Sequence, residues 1–343
     1  MFHDVAESAY AADILSQPDC LRRVRMGEVA SSLQQVVGSL GRFTRIVLTG
    51  MGASHAALRP LWLSLIGKGY PAWLLESSEV LASALPLVDR STLLIVASQS
   101  GRSAEIIALA GEASERGAMM LAITNDVGSP LARAAHAVVE IKAGIENAVS
   151  TKTYINTLGA TISIRRILFG EPIDDVLDRT ADALSIYLDT MAGRVRAMKD
   201  AVGVPERLFF LARGRSLAAA ECGALIMKEA AKRPIEAQSV AQFRHGPLEL
   251  ADERLTVVLL AGSQPRDREL NAALDADLRT HGARTFLLDT NPPDAIMAIP
   301  PVLDDARPIA EILPLQLLSV AIAEQTGVVP GVFRHLSKVT TVQ

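Results

Sequence analysis

The chain has 343 residues, of which 49% are hydrophobic and 21% charged, and its formal net charge is -4. That composition describes an ordinary soluble globular protein with a sizeable core, and the length predicts two domains. The acidic balance offers no basic field for a polyanionic backbone, so nucleic-acid binding is disfavoured, while a small anion can still be bound locally.

The opening stretch "MFHDVAESAYAADILSQPDCLRRV" carries acids early and lacks a continuous apolar run. It resembles neither a signal peptide nor a membrane anchor, so residues 1–34 are read as a helical segment of a cytoplasmic protein with no membrane partner. Only Cys20 and Cys222 occur, far apart and without metal-ligand spacing. Both are read as reduced thiols, with no disulfide, no metal and no cofactor.

Five apolar runs of strand length follow: "RIVLTGMG", "AWLLESS", "TLLIVASQS", "AMMLAITND" and "AHAVVEIKA". Helix-like stretches such as "SAEIIALAGEASERG" separate them. This alternation predicts an α/β fold with a parallel sheet and helices on both faces. After Ile173, apolar residues recur at helical spacing through about Val202, which predicts a linking helix. The pattern then restarts. "RLFFLARGRSLAAA" echoes "RIVLTGMGASHAAL", and "LTVVLLAGSQ" echoes "STLLIVASQS", so that Ile46 corresponds to Leu208 and Ser98 to Ser263. Two copies of one fold are expected.

The first copy ends its third strand in "SQSGRSAE", where the second has "SQPRDRE". Ligands in open α/β sheets sit beyond the carboxyl ends of the strands, where a helix N-terminus presents unpaired N–H groups. Ser98, Gln99, Ser100 and Ser103 add side-chain donors there, and Gly101 lets the backbone approach closely. Such a pocket suits a phosphate. The same residues would also make an ordinary N-cap and turn. A second polar elbow, "TGMGASHA", puts Gly52 and Ser54 in a comparable position.

The motifs "SQSGRSAE", "AGIENAVSTKTY", "KEAAKRPIEAQSVAQFRHGP" and "HLSKVTTVQ" together resemble the sugar isomerase (SIS) family, and within it the two-domain isomerase half of glucosamine-6-phosphate synthases. The resemblance implies two tandem SIS domains, each a three-layer αβα unit, over 35–172 and 203–330. Residues 173–202 would link them, and 331–343 would form a tail over the active site. It implies that Ser54, Ser98, Gln99, Ser100 and Ser103 grip a sugar 6-phosphate, that Ala148 and Ser150 contact the substrate, and that Glu146 and Gly52 line the site. For Glu146 the alternative is a helix-start carboxylate. Lys152 reads as structural.

By the same resemblance, Glu229 is the base that moves a proton between C1 and C2, His245 opens the sugar ring, and Lys338 meets the open-chain carbonyl. On residues alone, Glu229 belongs to a solvated helix face, and a loop histidine before Gly-Pro is uninformative. The family pattern also implies a homodimer with shared active sites.

The residue after Met1 is Phe2, and no glutamine-hydrolysing segment is recognisable, so the expected reaction is deamination of an amino-sugar 6-phosphate, glucosamine 6-phosphate foremost. Ile226 and Cys222 stand where the synthase pattern has lysine and glutamate, which leaves the substrate open. A deglycase or isomerase acting on galactosamine 6-phosphate or a fructosyl-amino-acid phosphate is one alternative. A non-enzymatic sugar-phosphate sensor is another.

Overall fold

The computed structural model describes residues 8–147, 149–292 and 295–335. Packing divides the chain into two units. The first gathers Asp19–Glu146 and Thr151–Leu177; the second gathers Asp178–Arg334, Asn147–Ser150 and the N-terminal stretch through Pro18.

The first unit is built on five parallel strands, β1 (Arg45–Gly50), β2 (Ala72–Glu76), β3 (Thr92–Ala97), β4 (Met119–Thr124) and β5 (Ala137–Glu140), in the spatial order β2-β1-β3-β4-β5. These are the five runs expected from sequence. Every residue of β3 and β4 is buried, whereas the edge strand β2 has only half-buried and exposed positions. Continuous apolar sequence marks a strand covered on both faces, and here two apolar clusters cover the sheet from opposite sides. The helix Lys152–Leu168 is buried through most of its length despite polar residues such as Thr153, Asn156 and Thr161. Those groups are satisfied internally: Asn156 Nδ2 donates to the carbonyls of Cys20 and Ile141 at 2.9 and 2.7 Å.

The second unit repeats the plan with β6 (Arg207–Ala212), β7 (Glu236–Ser239), β8 (Leu255–Leu260) and β9 (Arg284–Leu288), all parallel, in the order β7-β6-β8-β9. Strands β6 and β8 are the echoes seen in the sequence. Strands β7 and β9 escaped that reading: "EAQS" is four mostly polar residues at an edge, and "RTFLL" interleaves exposed with buried positions. The linking stretch forms two helices, Val176–Leu188 and Met191–Ala201, broken at Asp189–Thr190.

Among the described residues, one segment, Asp304–Gln325, is long and apolar enough to cross a membrane by length and composition, yet its apolar window is wholly buried inside the protein. It contains the central helix of the second unit, Arg307–Gln325. Against it lies the helix Leu217–Ala230, whose buried residues are mostly small. A Cβ on Gly223 would fall 2.5 Å from Leu315 Cδ1, so the two helices approach as closely as a glycine allows.

Candidate active site

In the first unit the strand order reverses direction between β1 and β3, the place where open α/β sheets hold their ligands. The two strand ends are pressed together. A Cβ on Gly50 would sit 2.8 Å from the Ala97 carbonyl oxygen, so glycine is what lets β1 finish there. Gly52 then turns the chain with φ 51° into the helix Gly52–Gly67, and half-buried Ser54 rides in its first turn.

After β3, the loop 98–103 is tied down at several points. Ser98 is buried and its Oγ accepts the Gly101 N–H at 3.1 Å. The Gln99 carbonyl accepts from Asn125 N at 3.0 Å and Thr124 Oγ1 at 3.3 Å, and the Gly101 carbonyl accepts from Leu131 N at 3.3 Å. Gly101 has φ 59°, and a Cβ there would land 2.3 Å from Ser129 Oγ. Ser100 Oγ accepts from Arg102 N at 3.2 Å, while the Arg102 guanidinium makes two bonds, 3.0 and 2.7 Å, to Asp126. Hydrogen bonding from Arg102, then from the Gly128 backbone, holds Asp126 below the usual carboxylate range.

Ser103 bears on the two readings of this loop that sequence left open. It occupies the N-cap of Ala104–Glu115 with extended backbone, φ -65° and ψ 151°, but its hydroxyl makes no capping bond. The first-turn N–H groups of that helix have no intrahelical acceptor, as at every helix start. A rigid loop therefore presents unspent donors at a helix N-terminus, which is the chemistry of a phosphate cradle.

Glu146 is engaged otherwise. It is buried, its Oε1 accepts from Thr151 N (2.8 Å), Thr151 Oγ1 (3.2 Å) and Thr153 N (3.0 Å), and its Oε2 accepts from Thr153 Oγ1 (2.7 Å). The carboxylate thus caps the start of Lys152–Leu168, the helix-start role weighed as its alternative. Lys152 Nζ donates to the Ile145 carbonyl at 2.6 Å, a structural contact. Ser150 is half-buried. Ala148 and Lys338 lie outside the described residues.

In the second unit, Glu229 sits in the last turn of Leu217–Ala230, half-buried, while its neighbour Lys228 is exposed. Cys222 and Ile226, two turns and one turn earlier, are buried in the core at 1% and 0% exposure. His245 is exposed and ends the short helix Val240–Arg244, with its N–H on the Gln242 carbonyl at 3.0 Å.

Sequence reading gave no role to Lys232, which the structure puts three residues beyond Glu229 with φ 56°. The available signal was a helix ending in "AAKRP" without a glycine to stop it. Among the described residues, no group of three or more His, Cys, Asp or Glu gathers as a metal site would require.

The SIS domain family matches residues 41–163 and 204–298. This chain belongs to the SIS domain family. A glutamine–fructose-6-phosphate aminotransferase [isomerizing] of Pyrobaculum aerophilum is 27% identical over 96% of this chain and 57% of its own length. The chain spans about half the length of the curated relatives it matches. In fold, it is similar to the C-terminal domain of glucosamine-fructose-6-phosphate aminotransferase from Francisella tularensis, with a TM-score of 0.78 and 21% identity over 95% of this chain and 98% of that one. It is likewise similar to glucosamine-6-phosphate deaminase from Thermotoga maritima, with a TM-score of 0.77 and 18% identity over 98% and 100%.

Proposed function

We propose that this SIS protein is an enzyme acting on an amino-sugar 6-phosphate, and that it converts glucosamine 6-phosphate and water into fructose 6-phosphate and ammonia. The observation that carries the reading is the loop after β3: a fixed turn whose Ser103 hydroxyl is not used to cap its own helix. Ser98, Ser100, Ser103 and Ser54 bind the phosphate, with Gln99 beside them.

His245 opens the sugar ring. Glu229 takes the C2 proton of the open-chain aldehyde and returns it at C1, leaving an imine at C2. Water adds to that imine and ammonia departs. Free water drives this sequence toward release unless ammonia is supplied at high local concentration. Lys338 meets the open-chain carbonyl, and the working unit is a homodimer with shared sites. No step requires a metal or an organic cofactor.

Ammonia release assayed across glucosamine 6-phosphate, galactosamine 6-phosphate and a fructosyl-amino-acid 6-phosphate tests the reading; fastest turnover of the first is expected, and no release from any would overturn it. In the same assay, mixed Lys338→Met and His245→Asn subunits should regain activity that neither variant has alone. Verified mixed dimers without such rescue would reject the shared site.

A further inference from the structure

Among the described residues, only Lys142 and Lys232 hold a left-handed backbone without being glycine. Lys142 has a visible reason, since its ammonium pairs with Glu28. Lys232 follows the C-cap of the helix Leu217–Ala230, the position where chains usually place glycine because a Cβ is strained there. A β-carbon kept at such a cost is a reason to ask what its side chain does.

The side chain folds back toward Glu229. Its Nζ donates to the Glu229 carbonyl oxygen, and the ammonium lies 6.0 Å from the centroid of the Phe333 ring. Two charged groups act on it from the elements around it. Glu229, on the preceding helix turn, attracts it, and Arg334, beside Phe333, repels it. Arg233 is turned elsewhere, donating to the Pro205 carbonyl at 2.9 Å. Burial, with Arg334 adding to it and Glu229 opposing, holds the Lys232 ammonium below the ordinary lysine range.

We infer that Lys232 is a positioning residue for Glu229: its ammonium fixes the last helical turn and sets the electrostatic surroundings of the carboxylate that moves the proton. The inference rests on the reading of Glu229 as the base. A lysine that merely ends a helix would do nothing that glycine could not do better, and this difference makes the two roles separable.

The decisive variant is Lys232→Gly. If the lysine only terminates the helix, the glycine variant should melt up to about 3 °C higher with unchanged kinetics, because left-handed strain is relieved. If Lys232 positions Glu229, the variant should still melt at or above the parent temperature, yet kcat should fall about tenfold or more while KM moves less than about twofold. Loss of the neighbouring cation raises the pKa of a carboxylate, so the acid limb of the kcat/KM profile should also move about half a unit or more toward higher pH.

Lys232→Asn, which tolerates the left-handed turn without the charge, should behave as the glycine variant does, and Lys232→Arg should return the acid limb toward the parent position. Parent-like kcat and pH profile in folded Lys232→Gly or Lys232→Asn overturns the inference. Glu229→Gln separates this failure from failure of the underlying reading: if that variant is inactive, only the role of Lys232 is rejected, and if it is active, the base itself is misassigned.

Discussion

The carboxyl ends of the two sheets are built alike and filled differently. Gly52 in the first unit and Gly214 in the second occupy corresponding positions with nearly the same backbone, φ 51° and 55°, and Ser54 corresponds to Ser216. In the first unit, no carboxylate among the described residues is hydrogen-bonded to the Ser54 hydroxyl. In the second, the Ser216 hydroxyl donates to Glu311 at 2.9 Å, and Glu311 also accepts from Arg307 Nε at 2.7 Å. Arg307 reaches Asp289 at 3.1 Å, and Asp289 pairs in turn with Arg268. The second unit thus fills this strand end with its own carboxyl groups.

The loops diverge as well. Strand registers align Ile46 with Leu93 and Leu208 with Thr256, which makes Ala261 the structural counterpart of Ser98. The backbone agrees, since Ser98 N donates to the Ile123 carbonyl near the end of β4 (3.0 Å) as Ala261 N donates to the Leu288 carbonyl at the end of β9 (3.1 Å). This corrects the sequence correspondence of Ser98 with Ser263. Pairing by motif had slid the loop by two residues, because the turn between β8 and the helix Pro265–Thr280 is shorter than the turn after β3. Duplication kept the scaffold, and the contents of each strand end were free to change.

The sharpest break of this contrast is expected from Glu229→Gln. It keeps the shape of the second unit but removes the proposed base, so turnover should fall about a hundredfold or more with little change in substrate affinity. Solvent hydrogen entering the sugar at C1 or C2 should decline in parallel. Near-normal turnover would mean that the chemistry does not reside there.

A somewhat smaller effect is expected on the grip. Ser100→Ala and Ser103→Ala should each weaken binding of the phosphorylated sugar about tenfold to a hundredfold, the loss of a hydrogen bond to a charged group worth about 1.5–3 kcal/mol. Ser263→Ala, the same change in the second unit, should leave binding unaltered. Calorimetric titration of all three variants decides the matter, and equal effects in both units would erase the proposed division of roles.

The smallest effect concerns the buried carboxylate. Burial pushes Glu311 up to about 7 from its ordinary 4.5, against the pull of Arg307 and Ser216, and its Oε2 has no hydrogen-bond partner among the described residues. Between those two pH values the folded chain binds a proton that the unfolded chain has released. Its contribution to stability is therefore full below about pH 4.5 and is lost as pH rises to about 7, on the order of 1–3 kcal/mol. Glu311→Gln cannot titrate, so denaturant unfolding across this range should show a shallower decline than the parent chain. An unchanged slope would remove Glu311 as its source.

The sequence by itself determined the αβα plan and its repetition, because central parallel strands must be apolar along their whole length and such runs are visible without knowing their partners. It also located the polar loop after β3, since Gly101 and its flanking serines stand out against the strand before them. Strands β7 and β9 stayed hidden because edge pairing asks little of side chains and is satisfied through the backbone. The use of each polar group was decided only by tertiary structure. Whether the Ser103 hydroxyl caps its helix depends on one rotamer; whether Glu146 faces solvent or binds Thr151 and Thr153 depends on how the chain turns back before Lys152. Glu311 has Arg307 one turn earlier on its own helix, but Ser216 and Asp289 join the cluster from distant parts of the chain, and a hydrogen bond of that kind depends on where its partner lies in space, which spacing along the chain does not record.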